Sequence, residues 1–364
     1  MSAVGREERV LQIIETARSK TPRFRDQQVT LAHGAGGKAT RALIEGLFVP
    51  AFSQDEGSGA LAALADAGSI TAEGTSLAMT TDSFVVKPLR FPGGSIGELA
   101  VNGTVNDLAM AGARPLALSV SMILEEGLDS ETLRGEVEAI AHAAAAASVE
   151  IVAGDTKVVE RGAADGMYIC TTGIGLTDPR ASLAPDRLSP GDQVIVSGPI
   201  GEHGTAIMLA RDQFELDAEI ESDTCSLWPA TDALLESASD ALHALRDATR
   251  GGVASVLNEL ARASRVSVAV HEANVPVSPT VHAAAELLGI DPMYVANEGR
   301  LVACVAPQAA DDALAALQGV PGCERAAVIG EVRPEPPGMV LVETSFGGRR
   351  VMDELVGDPL PRIC

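Results

Sequence analysis

The chain is 364 residues long, which at roughly 100–200 residues per domain predicts two domains or three. Hydrophobic residues are 46% and charged residues 21%, enough for a sizeable core; aromatics are only 3%, so that core must be aliphatic. Twenty-seven basic residues against 50 acidic ones give a net charge of -23, and without a basic footprint or stacking aromatics nucleic acid is excluded as the main ligand. An acidic chain can still bind ATP when a divalent cation bridges the charges.

Residues 1–28 are read as an N-terminal extension with a short amphipathic helix over Glu7–Ser19. They lack a long apolar run, no stretch of 18 apolar residues follows, and a cytoplasmic protein with no membrane contact is expected. A strand is expected over Ser76–Asp82. A helix follows over Ser95–Ala111, with Val101, Val105 and Leu108 at i, i+4 and i+7. Leu116, Leu118, Val120 and Met122 alternate with small residues at strand period. Ser130–Ala147 reads as a helix capped at Asp129 or Ser130, and Glu150–Ala153 and Met167–Gly175 as strands.

Residues 176–191, rich in Pro, Asp and Ser, mark the domain boundary. It separates a first domain (29–178) from a second (190–344). The second has strands at Gln193–Ser197, Val266–His271, Arg300–Ala306, Ala326–Val332 and Met339–Thr344. Its helices are expected at Glu202–Arg211, Thr231–Ala244 and Gly251–Ala263. Residues 345–364 read as a mobile tail ending in Cys364. Of the five cysteines none forms a CxxC pair, and Cys170 and Cys304 lie in strand-like apolar runs as core residues.

Seven short motifs carry candidate chemistry. His33-Gly34-Ala35-Gly36-Gly37-Lys38 offers backbone N–H groups and a cation to phosphate, but it is not a Walker A loop, because Ala39 follows the lysine. Thr80-Thr81-Asp82-Ser83 puts a carboxylate at a strand end, where a turn-capping role competes. Asn102, Gly103, Asn106 and Asp107 crowd one helix with poor helix formers, which favours a functional face. Gly154-Asp155-Thr156-Lys157 supplies an acid and a base after a strand read as buried. Asp247 precedes a glycine-opened helix in Arg246–Gly252, and Glu298 precedes a strand in Ala296–Arg300; a simple cap and a solvated turn are their bland alternatives. Pro359–Cys364 is an extended segment bearing a thiol.

Taken in order, HGAGGK, TTDSFVVKPL, FPGGSIGELAVNGTVNDLAMAGARP, ILEEGL, AGDTKVVERGA, LRDATRGGV, ANEGRLV, IGEV and the terminal PRIC resemble the HypE family of NiFe-hydrogenase maturation factors. That family is a branch of the PurM or AIR synthetase-like superfamily, and the likeness covers about residues 29–364. The resemblance implies an α+β, two-domain PurM-like fold whose N-terminal sheets pair in a homodimer, with a flexible C-terminal tail. It implies ATP and Mg²⁺, and dehydration of an S-carbamoyl group on Cys364 to a thiocyanate that supplies cyanide to iron. A HypF-like carbamoyltransferase and a HypC–HypD-like iron scaffold are the implied partners. By the same resemblance, His33, Gly34, Gly36, Gly37, Lys38, Gly103, Asn106 and Thr156 hold the triphosphate. Asp66, Asp82, Asp107, Asp155 and Asp247 hold the metal, Lys157 steadies developing charge, and Glu298 is the base. Two alternatives stay open: another PurM-like ATP-dependent enzyme, which needs no terminal cysteine, and a non-enzymatic carrier, which needs no metal-binding aspartates.

Overall fold

The computed structural model describes residues 24–34, 36–52, 65–211, 220–355 and 363–364. The helix expected over Glu7–Ser19 lies outside them. Among the described residues, no helix is long and apolar enough to cross a membrane.

The first domain opens with helix α1 (Lys38–Leu43) and then strands β1 (Gly68–Ala72) and β2 (Thr75–Phe84). Helix α2 (Ile96–Met110), strand β3 (Ala113–Glu125), helix α3 (Ser130–Ala146) and strands β4 (Glu150–Val159) and β5 (Met167–Thr177) complete it. The strands order β1-β2-β5-β3-β4, antiparallel except for the β3–β4 pair. Asp129 caps α3, its carboxylate accepting from the Glu131 and Thr132 amides at 3.0 Å. One face of this sheet is covered by α2, and Leu99, Val101, Val105, Phe84, Leu118 and Ile169 close the core between them.

The second domain runs β6 (Gln193–Val196), α4 (Glu202–Ala210), α5 (Trp228–Ser237), β7 (Leu242–Asp247), α6 (Gly252–Ala263) and β8 (Ser267–His271). It continues with α7 (Pro279–Leu288), β9 (Leu301–Val305), α8 (Ala310–Gln318), β10 (Ala327–Arg333), β11 (Met339–Glu343) and β12 (Arg349–Met352). The seven strands order β12-β11-β8-β10-β6-β9-β7. Both faces are buried with period two. Val194, Val196, Val302 and Cys304 point to the α6 side, and Ile195, Leu301, Ala303 and Val305 to the α5–α8 side. Ala109 and Met110 of α2 join that second layer, so α2 is wedged between the two domains and buried almost all round.

Four expectations change. The helix read over Thr231–Ala244 ends at Ser237, and Leu242 begins an edge strand, because the apolar run LHALRD fills both layers of a sheet. Strand β4 does not stop at Ala153 and is not buried: it runs on to Val159 as an exposed edge. The segment read as tail contains β12, which pairs antiparallel with β11. Cys304 is fully buried as expected, but Cys170 is half-buried, because it shares the open-face row of Ser83 and Ser121.

Candidate active site

Three carboxylates meet where the domains touch. Asp66 precedes β1, Asp107 lies on the last turn of α2, and Asp247 ends β7; one oxygen of each lies within 4.8 Å of the others. Like charges so close raise the cost of ionising them all. Asp107 is pushed well above the usual carboxylate range by burial, then by Asp247, Asp66 and Asp82. Asp247 is pushed up to about 8 by burial and by Asp66, with Arg246 pulling the other way. The Thr80 hydroxyl lies 2.7 Å from Asp107 Oδ2, and the Arg246 guanidinium pairs with Asp66. Such an all-oxygen, partly ionised cluster suits a hard cation such as Mg²⁺.

Asp82 stands beside this cluster rather than in it. Burial raises its carboxyl, and Arg250 partly offsets that. Glu298 is buried, its Oε1 has no hydrogen-bond partner, and its pKa lies well above the ordinary value, chiefly through burial and then through Asp247, Asp82 and Asp223. A buried carboxyl with an unused oxygen is poised to exchange a proton with something placed next to it.

Cys364 is brought to this place. Its main-chain oxygen, part of the terminal carboxylate, accepts from the Val85 amide at 3.0 Å, just past the end of β2. Its negative charge is the largest influence holding the Arg250 guanidinium above its usual range, followed among the charges by Asp82, Glu298 and Asp107. Arg250 therefore collects the tail, Glu298 and the acids around one cation. Reading the residues one motif at a time does not find that role, although Arg250 lies inside a recognised motif. Val85 is missed altogether, because a main-chain donor leaves no trace in residue type.

Other anticipated residues are used differently. Asn106 gives both amide ends to the second domain: Nδ2 donates to the carbonyls of Cys225 (3.0 Å) and Glu298 (3.2 Å), and Oδ1 accepts from the Leu227 amide at 2.7 Å. That leaves no donor for phosphate, and Asn106 is an interdomain clamp here. Gly103 is required by packing, since a Cβ there would lie 2.7 Å from the Phe84 ring. Asn102 reaches Thr224 at 3.3 Å. Of the four polar or small residues on α2, only Asp107 faces the acid cluster.

The glycine segment is engaged by the chain itself. His33 is buried, with Nε2 2.9 Å from Asp26 and Nδ1 3.0 Å from the Thr30 hydroxyl. The Gly34 carbonyl accepts from Arg250 at 3.0 Å. The Lys38 amide donates to the Leu355 carbonyl at 3.2 Å, and Lys38 Nζ pairs with Asp353 at 2.7 Å. Gly36 lies against Arg250, and a Cβ on Gly37 would collide with the Leu355 carbonyl, so the tail's base runs directly over this loop.

Asp155, Thr156 and Lys157 sit mid-strand on β4, paired with Ser121, Met122 and Ile123. Continuing across the sheet, Ser121 pairs with Cys170 and Cys170 with Ser83, so Asp155 is three strands from β2, about 14 Å at the usual spacing. Side chains alternate along β2, so Asp82 points to the α2-covered face while Ser83, Asp155 and Lys157 point to the open one. Within one chain, Asp155 and Lys157 are not brought to the acid cluster. They pair with each other at 2.9 Å in solvent, and the salt bridge lowers the Asp155 pKa.

This two-domain α+β chain matches the AIR synthase related proteins. Residues 64–177 match the N-terminal domain of that family and residues 189–342 its C-terminal domain. The chain is 48% identical over 337 residues to the carbamoyl dehydratase HypE of Rhizobium leguminosarum bv. viciae, covering 93% of this chain and 95% of that one. It superposes on HypE from a HypE–HypF complex with a TM-score of 0.81 at 43% identity, covering 86% of this chain and 100% of that one. On HypE in complex with ATP the TM-score is 0.77 at 43% identity, over 93% and 100% of the two chains. The chain belongs to the HypE family of carbamoyl dehydratases.

Proposed function

We propose that this protein uses ATP to dehydrate an S-carbamoyl group on Cys364 to a thiocyanate, supplying the cyanide ligand for the iron of NiFe-hydrogenase. The observation that carries the proposal is that Cys364 and Glu298, whose Oε1 has no hydrogen-bond partner, both act on the Arg250 guanidinium, with Asp82 and Asp107 acting on it as well. An amide oxygen is a poor leaving group as oxide or hydroxide. Its attack on the γ-phosphorus of ATP expels ADP and turns that oxygen into part of a phosphate. Loss of both N–H protons and cleavage of the C–O bond then give the S–C≡N group and inorganic phosphate. In sum, thiocarbamate and ATP give thiocyanate, ADP, phosphate and one free proton.

Glu298 takes an N–H proton. Buried among acids, it is a stronger base than an exposed glutamate once deprotonated. Arg250 offsets the charge near the tail and the transferred phosphoryl group. Asp66, Asp107 and Asp247 would hold Mg²⁺, with Asp82 beside them. When bound, the metal supplies the positive charge that lets a triphosphate enter this acidic seam. Gly34, Gly36, Gly37 and Lys38 reach phosphate only after Lys38 leaves Asp353.

Asp155, Thr156 and Lys157 fit this scheme in a homodimer, where a second copy lends its edge. β4 exposes Ile151, Val152 and Val158, and the open face exposes Met79, Ile123 and Ile174. A long apolar strand edge is seldom left uncovered. A HypF-like carbamoyltransferase loads the thiol and a HypC–HypD-like scaffold receives the cyanide, all in the cytoplasm. The test is the mass of the C-terminal peptide after incubation with carbamoyl donor, transferase and ATP. The expected result is gain of one carbamoyl group followed by ATP-dependent loss of one water. A carbamoyl adduct that persists with ATP, or one that appears only on another cysteine, overturns the proposal.

A further inference from the structure

The chemistry at Cys364 does not require anything of the residue before it, yet Ile363 is gripped. Its side chain is 5% exposed and lies in the core with Val86, Phe91, Ile207 and Met208. Its carbonyl lies 2.6 Å from Nε2 of His203, a fully buried histidine in the first turn of α4.

The surroundings of His203 fix how that ring is protonated. Nδ1 lies 2.8 Å from the Ser222 hydroxyl. Ser222 Oγ already accepts the Thr224 amide at 3.2 Å, which turns its own proton toward Nδ1. Nδ1 is then the acceptor and Nε2–H the donor, as a carbonyl partner demands. Burial pushes the ring down to about 4, so it stays neutral near pH 7. The Phe91 ring packs edge-on at 5.5 Å, and the Ser222 amide is tied to the Pro92 carbonyl at 2.8 Å.

The base of this histidine is fastened to the site. The Gly201 amide, two residues before it, donates to Asn297 Oδ1 at 2.7 Å. Asn297 Nδ2 in turn donates to the Ala248 carbonyl at 2.8 Å. The residue before Glu298 and the residue after Asp247 thus set where His203 stands.

We propose that His203, oriented by Ser222, is a positioning residue that reads the tail backbone at Ile363 and sets where the Cys364 sulfur stops. With the Val85 amide and the Ile363 pocket it forms a recognition site for an apolar–Cys pair. Each of these contacts is to main chain or to the isoleucine. The inference rests on Cys364 being the substrate-bearing thiol.

The experiment uses the full chain, carbamoylated by its transferase, in single-turnover dehydration with saturating ATP and Mg²⁺. His203→Leu slows the step roughly 10- to 100-fold, the effect of losing one buried hydrogen bond and leaving its acceptor bare. His203→Gln, which can present an N–H near the position of Nε2, recovers most of the rate, and Ser222→Ala gives a smaller loss. The KM for ATP and the rate of carbamoyl loading stay unchanged in all three. With unmodified protein, iodoacetamide alkylates Cys364 faster in His203→Leu and Ser222→Ala than in the parent chain. Equal dehydration and equal alkylation in Ser222→Ala and in a folded His203→Leu overturn this inference while leaving the dehydratase reading intact. If instead the parent chain carries no carbamoyl on Cys364, the underlying reading fails first.

Discussion

The first sheet carries two acids, Asp82 and Asp155, with similar local sequence and opposite fates. Asp82, on the covered face, is enclosed with Asp107 and Asp247, and burial raises all three carboxyls. Asp155, on the open edge of the same sheet, lies in solvent against Lys157, and its carboxyl is lowered. Both follow small or hydroxyl residues within strands. The difference is a side-chain parity of one and three strand spacings. An acid in a motif thus acquires chemical character from which face of the sheet it takes, and residue type does not reveal that.

The largest effect is expected on the covered face. Asp107→Asn keeps an acceptor for Thr80 but removes a charge from the cluster. ATP-dependent dehydration should fall more than about 100-fold, beyond the loss typical of removing a metal ligand's outer-shell partner. The melting temperature at pH 8 should not fall, because repulsion is relieved. Asp247→Ala should lose activity similarly. Full turnover in either variant would remove these acids from the site.

Next in size is an effect on folding rather than catalysis. Asn106→Ala strips three hydrogen bonds between α2 and the second domain, two of them buried and one part-buried. It should cost about 2–4 kcal/mol in urea unfolding, given the desolvated groups left behind. Gly103→Ala drives a methyl into Phe84 and should cost about 1–3 kcal/mol. Unchanged unfolding midpoints would mean that these residues are not packing elements.

The open edge can be sharpened by mixing two inactive chains. If Lys157 serves a partner's site, Lys157→Ala mixed one to one with Asp82→Ala gives half mixed dimers, each with one intact site. Turnover should return to about a quarter of the parent level. No recovery after subunit exchange would assign Lys157 to its own chain, against the strand geometry.

Much of this architecture is legible in residue order, and the exceptions have physical causes. Helix α2 falls within a residue of its expected ends, because Val101, Val105 and Leu108 repeat at helical period. Helices α7 and α8 are absent from the sequence reading, although Val281, Ala284, Ala285 and Leu288 of α7 stand at i, i+3, i+4 and i+7; a short stripe built largely of alanine is a weak signal. The acids and Glu298 are recognisable because buried-site carboxylates cluster in short motifs. His203 and Ser222 are not, because their partner is a carbonyl 160 residues away in sequence from His203. A histidine before a glycine at a helix start, HGTAI, is the one signal that could have drawn notice. Asn106 misleads for the opposite reason: a poor helix former in a helix does mark a special position, but here the task is joining domains.

The smallest expected effect distinguishes the two faces by their response to pH. Asp247 has an ordinary value of 3.8 and a folded value of about 8. Between those values the folded chain keeps a proton that the unfolded chain has released. Stability then falls as pH rises through the window, since it decreases wherever the folded state binds more protons. A cation bound by the acids would displace that proton, so Mg²⁺ should bind more tightly as pH rises and stabilise the fold by mass action. Adding Mg²⁺ at pH 8.5 should raise the melting temperature roughly 3–6 °C more than at pH 6. The gap should shrink in Asp247→Asn and persist in Asp155→Ala, whose carboxyl is already ionised at both pH values. A Mg²⁺ shift that is equal at the two pH values, or that is lost equally in the two variants, would mean the metal does not distinguish the buried acids from the exposed one.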